Sequence, residues 1–154
     1  MLDVIDLIEL LEFADSKKEI ERYLTNRTDI IVEHILYLIL APESDCVSHW
    51  QTEIYSFISS VKKLSATNKY PTQKQIYDWT YGKIQDCISD VSWLSVLIED
   101  ACDKENIENN FNVHDISKQL DYFCSQYFKW LSERLSSVGR VTRKDVIGKL
   151  TSLM

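Results

Sequence analysis

Three glycines and two prolines are all that 154 residues contain. So few turn-formers exclude an architecture of many short strands and hairpins and favour helices joined by short links. Three scattered glycines also cannot build a phosphate-cradling loop. The four cysteines, Cys46, Cys87, Cys102 and Cys124, form no CxxC pair. They read as reduced thiols of a cytoplasmic protein, and Cys87, Cys102 and Cys124 fall on or beside apolar stripes as small hydrophobes. Residues 1–15 hold no Lys or Arg, so the basic region of a secretory signal is missing. The longest apolar run, Ile30 to Ala41, contains Glu33 and His34 and is too short to cross a bilayer.

What is present is apolar and acidic. Hydrophobic residues make up 45% of the chain and the formal net charge is −7. That apolar content is enough for a real core, and the length predicts a single domain over 1–154. Nucleic-acid binders draw most of their non-specific affinity from cations that neutralise phosphates. An acidic chain therefore argues against nucleic acid as the main ligand and suits a basic protein partner, or plain solubility.

Apolar spacing of three and four recurs along the chain and predicts an all-α bundle of five or six antiparallel helices. Val4, Leu7, Ile8 and Leu11 define a first helix over 2–14. Ser16 and Glu19 have capping-box spacing and open a second, with Asn26 as its break and Thr28 as the cap of a continuation. Ile30–Leu40 is apolar on nearly every side, which places it centrally as a helix; its β-branched residues make a strand the alternative. Pro42 ends it. Ser44 caps a helix to about Ala66, with Val47, Trp50, Ile54, Phe57, Ile58, Val61 and Leu64 on its apolar face.

Residues 67–72 form a loop. Pro71 and Thr72 then open one long helix over Tyr70–Asp103, around which the rest packs. Tyr77, Ile84, Val91 and Ile98 recur every seven residues along it, so Val91 and Ile98 are expected in the core. Lys104–Asn112 is a solvated connection. Val113, Ile116, Leu120, Phe123, Tyr127, Trp130 and Leu131 mark a further helix to about Ser136, with Tyr122 and Phe128 off its core face. Gly139 marks a turn, and Thr142 caps a final short helix carrying Val146, Ile147 and Leu150.

Residues that carry chemistry are sparse. Cys46 and His49 have C-x-x-H spacing, but structural zinc needs four ligands and no second pair exists, so no metal and no cofactor are expected. Asp45, His49 and Glu53 follow one another at i, i+4 and i+8, which on a helix either orients an imidazole between carboxylates, as a catalytic base requires, or gives an ordinary solvated face. No order of Ser, His and Asp suggests a triad. Arg27 and His34 are separated by six residues, with Thr28 after the arginine. This spacing resembles the Arg, four to six residues, His pattern of the helical ribonucleases of the HEPN superfamily. The resemblance covers eight residues and implies that Arg27 and His34 would be catalytic.

The charge distribution carries more. From 86 to 108 stand Asp86, Asp90, Glu99, Asp100, Asp103, Glu105 and Glu108 against Lys104 alone. From 129 to 149 the sign inverts: Lys129, Arg134, Arg140, Arg143, Lys144 and Lys149 against Glu133 and Asp145. The acidic stretch fits a docking face for a basic protein, with Trp79 and Trp93, fourteen residues apart, as apolar anchors on one side of the long helix. The predicted partner-binding residues are Trp79, Asp86, Asp90, Trp93, Glu99, Asp100, Asp103 and Glu105. The sequence thus reads as a cytoplasmic protein-binding protein without catalysis, most concretely an immunity protein or antitoxin covering the active site of a basic nuclease toxin. The alternatives are the HEPN-like ribonuclease and a generic helical adaptor.

Overall fold

The computed structural model describes the backbone of residues 4–67 and 72–154 and the side-chain burial of 18–65 and 72–154. Among them are six helices and no strand: α1 (Val4–Leu40), α2 (Val47–Thr67), α3 (Gln73–Ser89), α4 (Val91–Glu105), α5 (Val113–Ser137) and α6 (Arg143–Leu153). The expected helical bundle is what forms. The apolar face assigned to Val4, Leu7, Ile8 and Leu11 lies outside the described residues, as does most of the expected 67–72 loop with Pro71.

The first correction concerns the N-terminal third. Three segments were expected over 2–40, and one 37-residue helix forms. Its backbone is helical through Ser16, Asn26 and Thr28. Ile20, Leu24, Thr28, Ile31, Val32 and Ile35 are all buried, so the stripe continues through the polar position. Thr28 serves the helix instead of capping it: its hydroxyl donates back to the Leu24 carbonyl at 2.6 Å, which satisfies a buried polar group without a partner from elsewhere. The Ile31–Ala41 end is buried on most sides, and α1 packs on α2, α3, α4 and α5. It is the central helix, as its all-round apolarity predicted.

The second correction is the reverse. The stretch expected as one helix over Tyr70–Asp103 is two helices that meet at Asp90. Asp90 has an extended backbone (φ −83°, ψ 92°) and closes α3 and opens α4 at once. Its N–H donates to the Cys87 carbonyl at 3.2 Å, and its carboxylate accepts from the Trp93 N–H at 3.1 Å. Beside it the Ser89 hydroxyl donates to the Gln85 and Asp86 carbonyls. Two polar side chains thus take up part of the orphan hydrogen bonding at both helix ends, and no Gly or Pro marks the break.

The break resets the helical phase. Leu94, Ile98, Ala101 and Cys102 are buried on α4, while Val91 is 41% exposed. Ile98 is therefore core as expected and Val91 is not. α4 folds back against α1, α3 and α5.

The remaining elements follow their caps. Thr72 and Gln75 form a capping box at α3, and Thr142 and Asp145 another at α6. Ser44 precedes α2 by a turn: its hydroxyl accepts from the Cys46 N–H at 3.1 Å. Trp50, Ile54, Phe57, Ile58 and Val61 are buried as the spacing required. On α5 Tyr122 is 64% exposed, but Phe128 is buried. It stacks on Tyr81 of α3 with ring centroids 5.6 Å apart, so the core face of α5 is wider than one stripe because both α1 and α3 lie against it. No described helix is long and apolar enough to cross a membrane.

Candidate protein-binding face

The outer face of α4 is where the acidic residues gather. Opposite its buried stripe lie Val96, Glu99, Asp100 and Asp103, spaced at i, i+3, i+4 and i+7 and so on one side of the helix. All four are exposed, Val96 by 58%. The side chains of Glu99, Asp100 and Asp103 make no hydrogen bond or ion pair among the described residues. Val96 was not singled out in the sequence, because a lone valine off the apolar stripe draws no attention there. Once Leu94 and Ile98 define the inner stripe, Val96 must point away from it.

Lys104, the one cation of this stretch, is committed elsewhere. Its ammonium lies 3.3 Å from Glu33 Oε1 of α1, not against Asp100 one turn earlier on its own helix. The same Glu33 oxygen accepts from the Tyr37 hydroxyl at 2.6 Å. Partial burial opposes the charge of Glu33, yet Tyr37 and Lys104 together hold its carboxyl below the usual range. Burial, reinforced by Glu33, pushes the Tyr37 phenol up to about 12. The exposed pair itself contributes at most ~1 kcal/mol, but it fixes where the cation points.

The other predicted residues separate into different roles. Asp90 is the cap between α3 and α4, with its carboxylate spent on Trp93 N–H. Glu105 is half-buried and accepts from the Ser44 hydroxyl at 3.2 Å, tying the end of α4 to the α1–α2 turn. Asp86 lies on α3, next to Trp79 in a groove of about 420 Å³ between α1 and α3 that Glu21, Asp78 and Lys83 also line. Trp79 and Trp93 are both half-buried against the core. They stand on different helices, so their fourteen-residue spacing no longer places them side by side. The acidic set therefore resolves into a free face (Glu99, Asp100, Asp103) and residues that hold the fold or line a separate groove.

The catalytic candidates are also placed. Arg27 and His34 lie on one uninterrupted helix, two turns apart. The Arg27 guanidinium sits 5.3 Å from the Tyr23 ring centre. His34 Nδ1 donates to the Ile30 carbonyl at 2.6 Å, which sets the tautomer and leaves Nε2 as an acceptor. The His34 and His49 rings are 6.5 Å apart across α1 and α2, a proximity invisible to spacing along one helix. Asp45 precedes α2 and does not share a helix face with His49 and Glu53. Among the described residues no three His, Cys, Asp or Glu are arranged to hold a metal ion. Cys46, Cys87, Cys102 and Cys124 are all free. No protein-family model matches the chain, and no curated protein or solved structure matches it either.

Proposed function

We propose that this chain is a cytoplasmic protein-binding protein that lays the outer face of α4 against a basic partner. In its most concrete form it is an inhibitor of the immunity or antitoxin kind, covering the cationic active site of a nuclease toxin. The observation that carries the reading is the commitment of Lys104 to Glu33 on another helix. Glu99, Asp100 and Asp103 are left without a counter-charge around the exposed Val96. An apolar contact ringed by unneutralised carboxylates suits a basic surface, where complementary charge speeds encounter and rejects acidic competitors. Reversal of Glu99, Asp100 and Asp103 to Lys tests it in a pull-down from the native host at low and high salt. A basic protein should be retained by the wild-type chain, released by salt and absent from the folded triple variant. The same partner on the triple variant overturns the assignment of this face.

A second reading rests on Arg27 and His34. Their placement two turns apart on one helix suits a HEPN-like ribonuclease. The purified chain would then cleave RNA unaided and stop on His34→Ala.

A further inference from the structure

Another exposed valine also stands among charges, and those charges are of the opposite sign to the ones around Val96. Val138, in the turn between α5 and α6, is 56% exposed. Arg140, Arg143 and Lys144 follow it, all exposed. Arg143 donates to the Thr52 hydroxyl at 2.9 Å, while Arg140 and Lys144 have no ion-pair partner among the described residues. This basic turn is remote from the acidic helix: α6 packs on α2 and α5 and does not touch α4. Neither cluster can neutralise the other within one chain.

We propose that a second copy of this chain covers the acidic face. The Val138 turn and the first turn of α6 of one copy dock on Val96, Glu99, Asp100 and Asp103 of the next. The contact brings valine to valine and cations to carboxylates. Its two surfaces differ, so it is heterologous: it leaves one acidic and one basic face free at the ends and builds rings or short chains instead of a closed pair. The inference rests on the proposed use of the α4 face for protein binding and adds its regulation, because a copy seated there competes with any other basic partner.

Salt separates this contact from plain apolar association. Each copy carries net −7, so copies repel at long range when the Debye length is ~30 Å, near 0.01 M salt. At roughly 0.15 M that repulsion is screened beyond ~8 Å while charges in contact still attract. At about 1 M, with screening over ~3 Å, the contact charges fade too. Self-association should therefore peak at intermediate salt, whereas apolar association strengthens as salt rises.

Sedimentation of the chain, alone, from micromolar to millimolar concentration tests the proposal. The wild-type mass is expected to climb past that of a dimer, most strongly at intermediate salt. Two variants of unchanged helicity isolate the faces: Glu99→Gln with Asp100→Asn and Asp103→Asn, and Arg140→Gln with Lys144→Gln. Each alone should associate about tenfold more weakly, the combined worth of a few exposed ion pairs. Mixed in equal amounts they should form a one-to-one dimer that grows no further, since only one intact acidic and one intact basic face remain to meet. A wild-type chain that stays monomeric throughout overturns the inference and leaves the capture of a basic partner standing. Variants that associate like the wild type, or a mixture that stays monomeric while the wild type assembles, overturn it as well. Self-association without any captured basic partner upholds it and removes the inhibitor reading.

Discussion

Residues 4–40 and 73–105 both carry long apolar stripes interrupted by polar residues, yet the first is one helix and the second is two. The difference lies in where the polar side chains send their hydrogen bonds. In α1 the Thr25 hydroxyl donates to the Glu21 carbonyl and the Thr28 hydroxyl to the Leu24 carbonyl. Both reach back one turn to a carbonyl already within the helix, and the backbone continues. The side chain of Asp90 accepts instead from the N–H of Trp93, ahead of it. That geometry requires an extended backbone at Asp90 and ends one helix as it starts the next. The break has a functional consequence. After it Leu94 and Ile98 point inward and Val96, Glu99, Asp100 and Asp103 outward, while Val91 at the break leaves the core.

Proline distinguishes the two regions most sharply. Asn26→Pro, in the interior of α1, should cost ~3 kcal/mol or more, a large part of the stability of an ordinary domain. Val91→Pro, at the first position of α4, should stay within about 0.5 kcal/mol, because its N–H is an orphan there and Asp90 before it is already extended. Chemical denaturation of both variants decides; equal losses would mean that the helix runs through Asp90. Truncation gives the next largest contrast. Ile98→Ala should cost about 2–5 kcal/mol, and Val91→Ala less than ~0.5 kcal/mol, although the two share one seven-residue spacing. A large loss at Val91 would restore it to the core.

Alkaline titration compares a phenol of α1 with one of α3. Tyr37 is raised to about 12 by burial and by Glu33, and Tyr77 is raised by burial alone. The unfolded chain releases these protons near pH ~10. A raised folded value means stability that is complete below pH ~10 and is lost as the pH climbs through the folded value. Tyr37 alone should account for about 2 kcal/mol of loss by pH ~12. Denaturation midpoints that do not move over this interval would contradict it. Tyr37→Phe should flatten part of the slope.

The smallest contrast is at the cap. Asp90→Ala should cost about 1 kcal/mol by leaving the Trp93 N–H without its acceptor. Asn26→Ala, at an exposed position inside α1, should be neutral or stabilising by up to ~0.7 kcal/mol. If Asp90→Ala were neutral, the carboxylate would not be what divides α3 from α4.

By itself the sequence determined the helical class, the buried face of α2 and most of that of α5, the cap at Thr142 and the central position of 30–40, because each depends on spacing or on contacts within a few residues. It also marked Glu99, Asp100 and Asp103 as an acidic group, since neighbours at three and four share a face wherever the helix lies. Tertiary structure decided the rest. Thr28 looked like a boundary until its neighbours Leu24 and Ile31 were buried with it. Phe128 looked exposed until Tyr81 of α3 covered it. Asp90 resembled any exposed carboxylate, and Val91 any member of a stripe, until α4 turned back onto α1 and α5. Lys104 chose Glu33 on another helix over Asp100 on its own, a choice that needs both helices in place. Spacing along the chain reports which side chains share a face, and only packing reports which face turns inward and which charges meet.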